Sequence, residues 1–131
     1  MAVNPTDIAV KSYNSAKAFR APIGATAMRP GTLAKFSSNL LVPCVATDKQ
    51  IRVYVILEQA DANAASALVC PLGDVRLELG YTGGTPTIGT SYGLSDALNI
   101  LVSDVTNLLL TVTAVNSGRT TVDVIEYQLA S

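Results

Sequence analysis

The sequence predicts a mainly β, loop-rich domain with an extended N-terminal arm and at most short helices. Three observations predict it. Apolar and polar residues alternate over several short runs, which is the period of a half-buried strand. Gly and Pro punctuate those runs at short intervals. The chain has 131 residues, 49% hydrophobic and 15% charged, so it forms one domain with ample core and no disordered composition. At this length a core buries roughly two thirds of the unfolded surface and needs no metal or disulfide.

Residues 1–24 mix Asn, Ser, Ala and Lys without helical or strand period, and Pro5, Pro22 and Gly24 interrupt them. They read as an extended arm, and 25–131 as the β domain. Fully stretched, such an arm reaches roughly 80 Å, far beyond a body whose radius of gyration is roughly 14 Å. Residues 40–46 are a short strand candidate. Ile51, Val53, Val55 and Leu57 alternate with Arg52 and Tyr54, a half-buried strand. The Ala-rich stretch 58–68 fits either two helical turns or a loop of small residues. Val75, Leu77 and Leu79 alternate with Arg76 and Glu78, a second half-buried strand.

The stretch from Gly80 to Gly89 lacks the spacing of a phosphate-binding loop and reads as turns between short strands. Residues 97–102 are a strand candidate, and 94–101 alternatively a short helix capped by Ser95. In 108–115, Leu108, Leu110, Val112 and Ala114 share one face and Leu109, Thr111, Thr113 and Val115 the other. A strand apolar on both faces at its start is central or lies at a subunit contact. Asn116-Ser117-Gly118 turns the chain, and 119–129 returns as the second arm of a hairpin. The apolar phase shifts between Val124 and Ile125, which predicts a bulge there.

The residues that are missing limit the chemistry. There is no His, which excludes a Ser-His-Asp triad, a Cys-His pair and a His-bound metal. There is no Trp, and two Phe and five Tyr suit neither a sugar-binding nor a single-strand nucleic-acid platform. Asp74, Glu78, Asp96, Asp104 and Asp123 are dispersed and read as solvated strand-face carboxylates. No enzyme activity and no cofactor are expected. The start of the chain has neither the basic nor the apolar region of a secretory signal, and no apolar run approaches a membrane span. Synthesis in a cytosol is therefore expected. Cys44 and Cys70 accordingly read as buried free thiols rather than a disulfide.

Charge is uneven. Residues 1–35 carry five basic side chains against Asp7 alone, a net +4; the remainder carries four against nine, a net −5. Within the basic front, Lys11, Tyr13, Lys17, Phe19 and Arg20 interleave cations with aromatics and form the candidate binding set. Three cations neutralise few phosphates, so an acidic protein surface is a better match than nucleic acid.

One family resemblance emerges. Gly73-Asp74-Val75-Arg76-Leu77-Glu78-Leu79-Gly80, followed by Gly83-Gly84-Thr85-Pro86-Thr87-Ile88-Gly89 and Gly93-Leu94-Ser95-Asp96-Ala97, resembles the small head decoration, or capsid cement, proteins of tailed bacteriophages. Arg29-Pro30-Gly31-Thr32-Leu33 is similar to their early Pro-Gly turn, and Ser117-Gly118-Arg119 to Val124 to their closing hairpin. The likeness spans roughly residues 25–127. The chain departs from the pattern in its richer Leu and Ile content and in Leu109 and Leu110 where a Gly is usual.

The resemblance implies a small β-tulip or β-sandwich-like domain without a catalytic site. It also implies a homotrimer on the outer surface of the expanded capsid, made in the host bacterial cytoplasm and carried on the virion. It implies an N-terminal arm that orders on the major capsid protein, with Tyr13 and Phe19 as apolar anchors and Lys11, Lys17 and Arg20 meeting capsid carboxylates. Two other readings stay open: a phage tail-tube or head–tail joining protein, and a small ligand-binding β module.

Overall fold

The structure, a computed structural model, describes residues 10–48, 51–116, 118 and 120–127. Its strands are β1 (Val10–Tyr13), β2 (Phe19–Ala21), β3 (Leu33–Ser37), β4 (Leu40–Pro43), β5 (Tyr54–Ile56), β6 (Ala67–Pro71), β7 (Val75–Thr82), β8 (Ser91–Asp96), β9 (Asn99–Leu101), β10 (Leu110–Asn116) and β11 (Thr121–Glu126). Among the described residues, helix is limited to single 3₁₀ turns at Ser15–Lys17 and Leu72–Asp74. The protein is mainly β, as its alternating pattern predicts.

The strands form two sheets. The first runs β1-β7-β11-β10-β8-β9 and closes on itself, because β9 also pairs in parallel with β7, Gly80 opposite Asn99. The length of β7 allows this. Leu77 faces Val10 of β1 on one edge and Val124 of β11 on the other, while residues 80–82 carry β9. This leaves β1 outside the ring as an edge strand on β7, and closure of β7, β11, β10, β8 and β9 encloses a core. Leu77, Leu79, Tyr92, Leu94, Ile100, Leu110, Val112, Val122 and Val124 fill it.

The second sheet runs β2-β6-β5-β3-β4. After β2 the chain continues to Ile23, which bridges Leu41 of β4 in parallel; Leu41 N donates to Pro22 O at 3.0 Å and Gly24 N to Leu41 O at 2.9 Å. This sheet therefore also rolls into a nearly closed ring. Its core is built of small residues, Ala21, Ala34, Ala60 and Ala67, packed with Ile23, Met28, Leu41, Ile56 and Val69. Leu33, Val53, Val55, Cys70 and Leu72 turn the other way and join the first core. At Arg29–Thr32 the chain makes a tight turn: Thr32 N donates to Arg29 O at 3.1 Å, and Gly31 has φ 92°. Pro30 then Gly31 suit a type II turn, whose third residue must be left-handed.

Several expectations are corrected. Residues 94–101 are not a helix but the end of β8, a tight turn and β9; Asp96 Oδ1 accepts from Leu98 N at 2.8 Å, so the carboxylate shapes a turn instead of capping a helix. The stretch 58–66 holds no helix; Ala60 lies in the second core and Ala64 packs against it, while Ala62 and Ala65 are exposed. The strand expected over 51–57 is confined to β5. The bulge lies on β10, where the register shifts between Val112 and Ala114. Ile125 does not bulge; it points outward and is exposed. Leu108 and Leu109 precede β10, and within it Leu110 and Val112 are buried while Thr113 is exposed, so one face of the strand is covered.

The largest correction concerns the arm. Residues 10–13 and 19–21 are extended, but they pair with β7 and β6 of their own chain, and Ile23 is buried. Alternating burial was too weak to show this, because both strands pair on one edge and leave most side chains outside. The part of the expected arm at residues 1–9 lies outside the described residues.

Candidate interaction surface

β1 and β2 are outermost strands of the two sheets, joined through the 3₁₀ turn at Ser15–Lys17. Asn14 organises the corner between them. Its N–H donates to Asp74 O at 2.9 Å, and its Oδ1 accepts from Ala16 N at 3.1 Å, which caps the 3₁₀ turn.

The structure separates the five candidate residues. Lys11 turns inward: its Nζ lies 3.2 Å from Glu78 Oε2 and 2.9 Å from Asp123 Oδ1. Glu78 is fully buried and accepts from Thr121 Oγ1 at 2.6 Å; Asp123 also accepts from Asn116 Nδ2 at 3.1 Å. Lys11 thus latches β1 across β7 to β11, with two carboxylates of its own chain beside its ammonium. Arg20 Nη1 lies 3.0 Å from Glu58 Oε1, but both side chains are exposed, and such pairs contribute little. Tyr13 and Lys17 are exposed on the corner.

Phe19 belongs to a group that sequence reading missed. Its ring meets Tyr54 edge-on, with centroids 5.7 Å apart, and Phe36 meets the same Tyr54 at 5.2 Å. The three come from β2, β5 and β3, far apart in sequence, and only the order β2-β6-β5-β3 joins them. No local signal announces such a group. Beside it lies a groove of about 450 Å³ lined by Lys35, Phe36, Ser37, Asp48, Ile51, Arg52 and Tyr54. A second cleft of about 620 Å³ is lined in part by Met28, Arg29, Cys44, Asp96 and Leu98.

Both cysteines are buried and unbridged. Burial, aided by Asp48, pushes the Cys44 thiol up to about 12; burial also raises Cys70. Neither is a thiolate nucleophile at neutral pH. Asp104 is held below the usual carboxylate range, first by the Asn107 N–H and then by the Thr106 N–H. Among the described residues, no group of three or more His, Cys, Asp or Glu is placed to hold a metal ion. No helix among them is long and apolar enough to cross a membrane. No protein-family model, curated protein or solved structure matches the chain.

The latch has a pH signature. Hydrogen bonding to Asp123 raises Lys11 above its ordinary 10.5. Its stabilisation is therefore complete below pH 10.5 and is lost as pH rises through the higher folded value. Lys11→Met is expected to lower stability by about 2 kcal/mol at pH 7, less than for a fully buried pair because Lys11 is one-third exposed. The gap between wild type and variant should close above pH 10.5. Urea unfolding at pH 7, 9 and 11.5 checks this; a gap that stays constant would mean Lys11 does not latch β1.

Proposed function

We propose that the chain is a structural virion protein that binds the outer surface of an expanded phage capsid as a trimer and stabilises the shell. The resemblance over residues 25–127 supports this class. The observation that carries it is the exposed strip Tyr13, Lys17, Phe19 and Arg20 along the outer edge of both sheets. An outermost strand offers backbone groups for strand addition, and these side chains offer apolar anchors and cations. Partners in this reading are the major capsid protein and further copies of the chain. A ligand that binds only the assembled shell stabilises it by mass action, and several copies around an axis multiply modest contacts.

This differs from the arm expected at the outset, because the contact strip is part of the folded body and Lys11 is not in it. The test is co-sedimentation with expanded shells. Wild type should saturate the shells and raise their melting temperature. The double variant Tyr13→Ser/Lys17→Glu should bind at least tenfold more weakly with an unchanged melting temperature of its own. A wild-type protein indifferent to shells would sink the proposal.

A further inference from the structure

We propose that the groove between Phe36, Ile51, Arg52 and Tyr54 docks an extended segment that carries a carboxylate among apolar side chains. The proposal rests on the shell-binding reading for the source of that segment, the major capsid protein. The chemistry comes from the groove itself. The chain has only two phenylalanines, and both lie at the surface against one tyrosine, Phe19 37% and Phe36 43% exposed. Ile51, in the groove wall, is 37% exposed. Single exposed apolar residues are ordinary, but a contiguous aromatic group beside a concave wall is the makeup of a binding patch.

Charge selects the occupant. The groove holds Lys35, Arg52 and Asp48. Asp48 is committed with both oxygens, Oδ1 to Lys35 Nζ at 2.7 Å and Oδ2 to Val45 N at 2.8 Å. Arg52 has no carboxylate at ion-pair distance among the described residues. The groove is therefore one positive charge in excess on a chain of net −1. A guanidinium receives a carboxylate through two parallel hydrogen bonds, and the adjoining Phe36 and Ile51 receive apolar side chains. A volume of about 450 Å³ is in the range of sites that take a few side chains. Single-stranded nucleic acid is a poorer fit. The rings meet edge to face, at 87° and 76°, rather than as parallel stacking steps, and one excess cation neutralises one phosphate.

The test titrates the full-length protein into fluorescein-labelled probes: a decapeptide alternating Glu and Leu, one alternating Lys and Leu, and a thymidine oligonucleotide. The Glu/Leu peptide should raise anisotropy on binding and the Lys/Leu peptide should not. Arg52→Glu and Phe36→Ser should each weaken it at least tenfold. Both sites are at the surface; if Phe36→Ser fails to fold, Arg52→Glu carries the test alone. Equal binding by Arg52→Glu, no peptide binding, or tighter binding of the oligonucleotide would overturn the proposal. Shell co-sedimentation separates the two readings. Peptide binding without shell binding keeps the groove and discards the capsid. Shell binding unchanged in Arg52→Glu, with no peptide binding, discards the groove and keeps the capsid.

Discussion

A chain lacking residues 2–20 is expected to lose its cooperative unfolding transition. The deletion removes β1 and all of β2 but Ala21, and with them most of the backbone pairing that β7 and β6 have on those edges. Each such hydrogen bond stabilises by about 1 kcal/mol net. It also removes Lys11, whose ammonium lies 3.2 Å from the carboxylate of the fully buried Glu78. The second ring loses the strand that leads into Ile23 and its bridge to Leu41. Together these losses are comparable with the roughly 5–15 kcal/mol that holds a domain of this kind. Circular dichroism with a thermal melt checks the outcome. A truncated chain that still melts cooperatively within a few degrees of wild type would show that the two edge strands are dispensable. It follows that loss of shell binding by this truncation would report unfolding, and only point changes such as those at Tyr13 and Lys17 address contact.

Gly93→Ala is expected to lower stability by about 3 kcal/mol, an overpacking effect at the upper end of its usual range. Gly93 lies in β8, opposite Leu101 of β9, and its N–H donates to Asp104 O at 3.0 Å. A Cβ at this position would stand 2.6 Å from Asn107 O and 2.6 Å from Asp104 Oδ2. Neither atom yields readily. One is backbone. The other belongs to a carboxylate fixed by Thr106 N and Asn107 N at 2.9 Å and by Asn107 Nδ2 at 3.0 Å. The methyl group must push the 104–107 loop off β8, close to where β9 completes the first ring. The melting temperature should fall by about 10 °C. A fall of less than 2 °C would mean that the loop is not seated on Gly93.

The parts of this fold that were legible in the sequence are those whose signal is local. Val75, Leu77 and Leu79 alternate with Arg76 and Glu78 because β7 has one buried face, though Glu78 on its outer side is itself fully buried. The hairpin of β10 and β11 was announced by the turn residues around Gly118, and the turn at Pro30-Gly31 by its own chemistry. Residues 94–101 misled because Ser-Asp begins helices and also closes tight turns. The choice was made by Leu94 and Ile100, which pair with each other across the turn and enter the first core. Ala60 and Ala67 misled for a similar reason: a small ring needs small side chains inside, and composition does not distinguish that need from helix propensity.

The candidate surface was half legible. The interleaved cations and aromatics of residues 11–20 marked the right stretch of chain, but not which way each side chain points. Lys11 faces inward because Glu78 and Asp123 lie directly opposite each other on β7 and β11, a register invisible in the linear chain. Phe36 and Tyr54 join Phe19 only through strand order.

By itself, then, the sequence determined the mainly β class, the chemistry excluded by having no His, and the positions of the sharpest turns, because each depends on composition or on neighbours within a few residues. Tertiary structure alone decided that both sheets roll into rings, that residues 10–21 belong to the body, and that an aromatic group lies beside them. Those outcomes depend on pairings between residues tens of positions apart, where the gain from burying a shared core outweighs any local preference of the segments that meet.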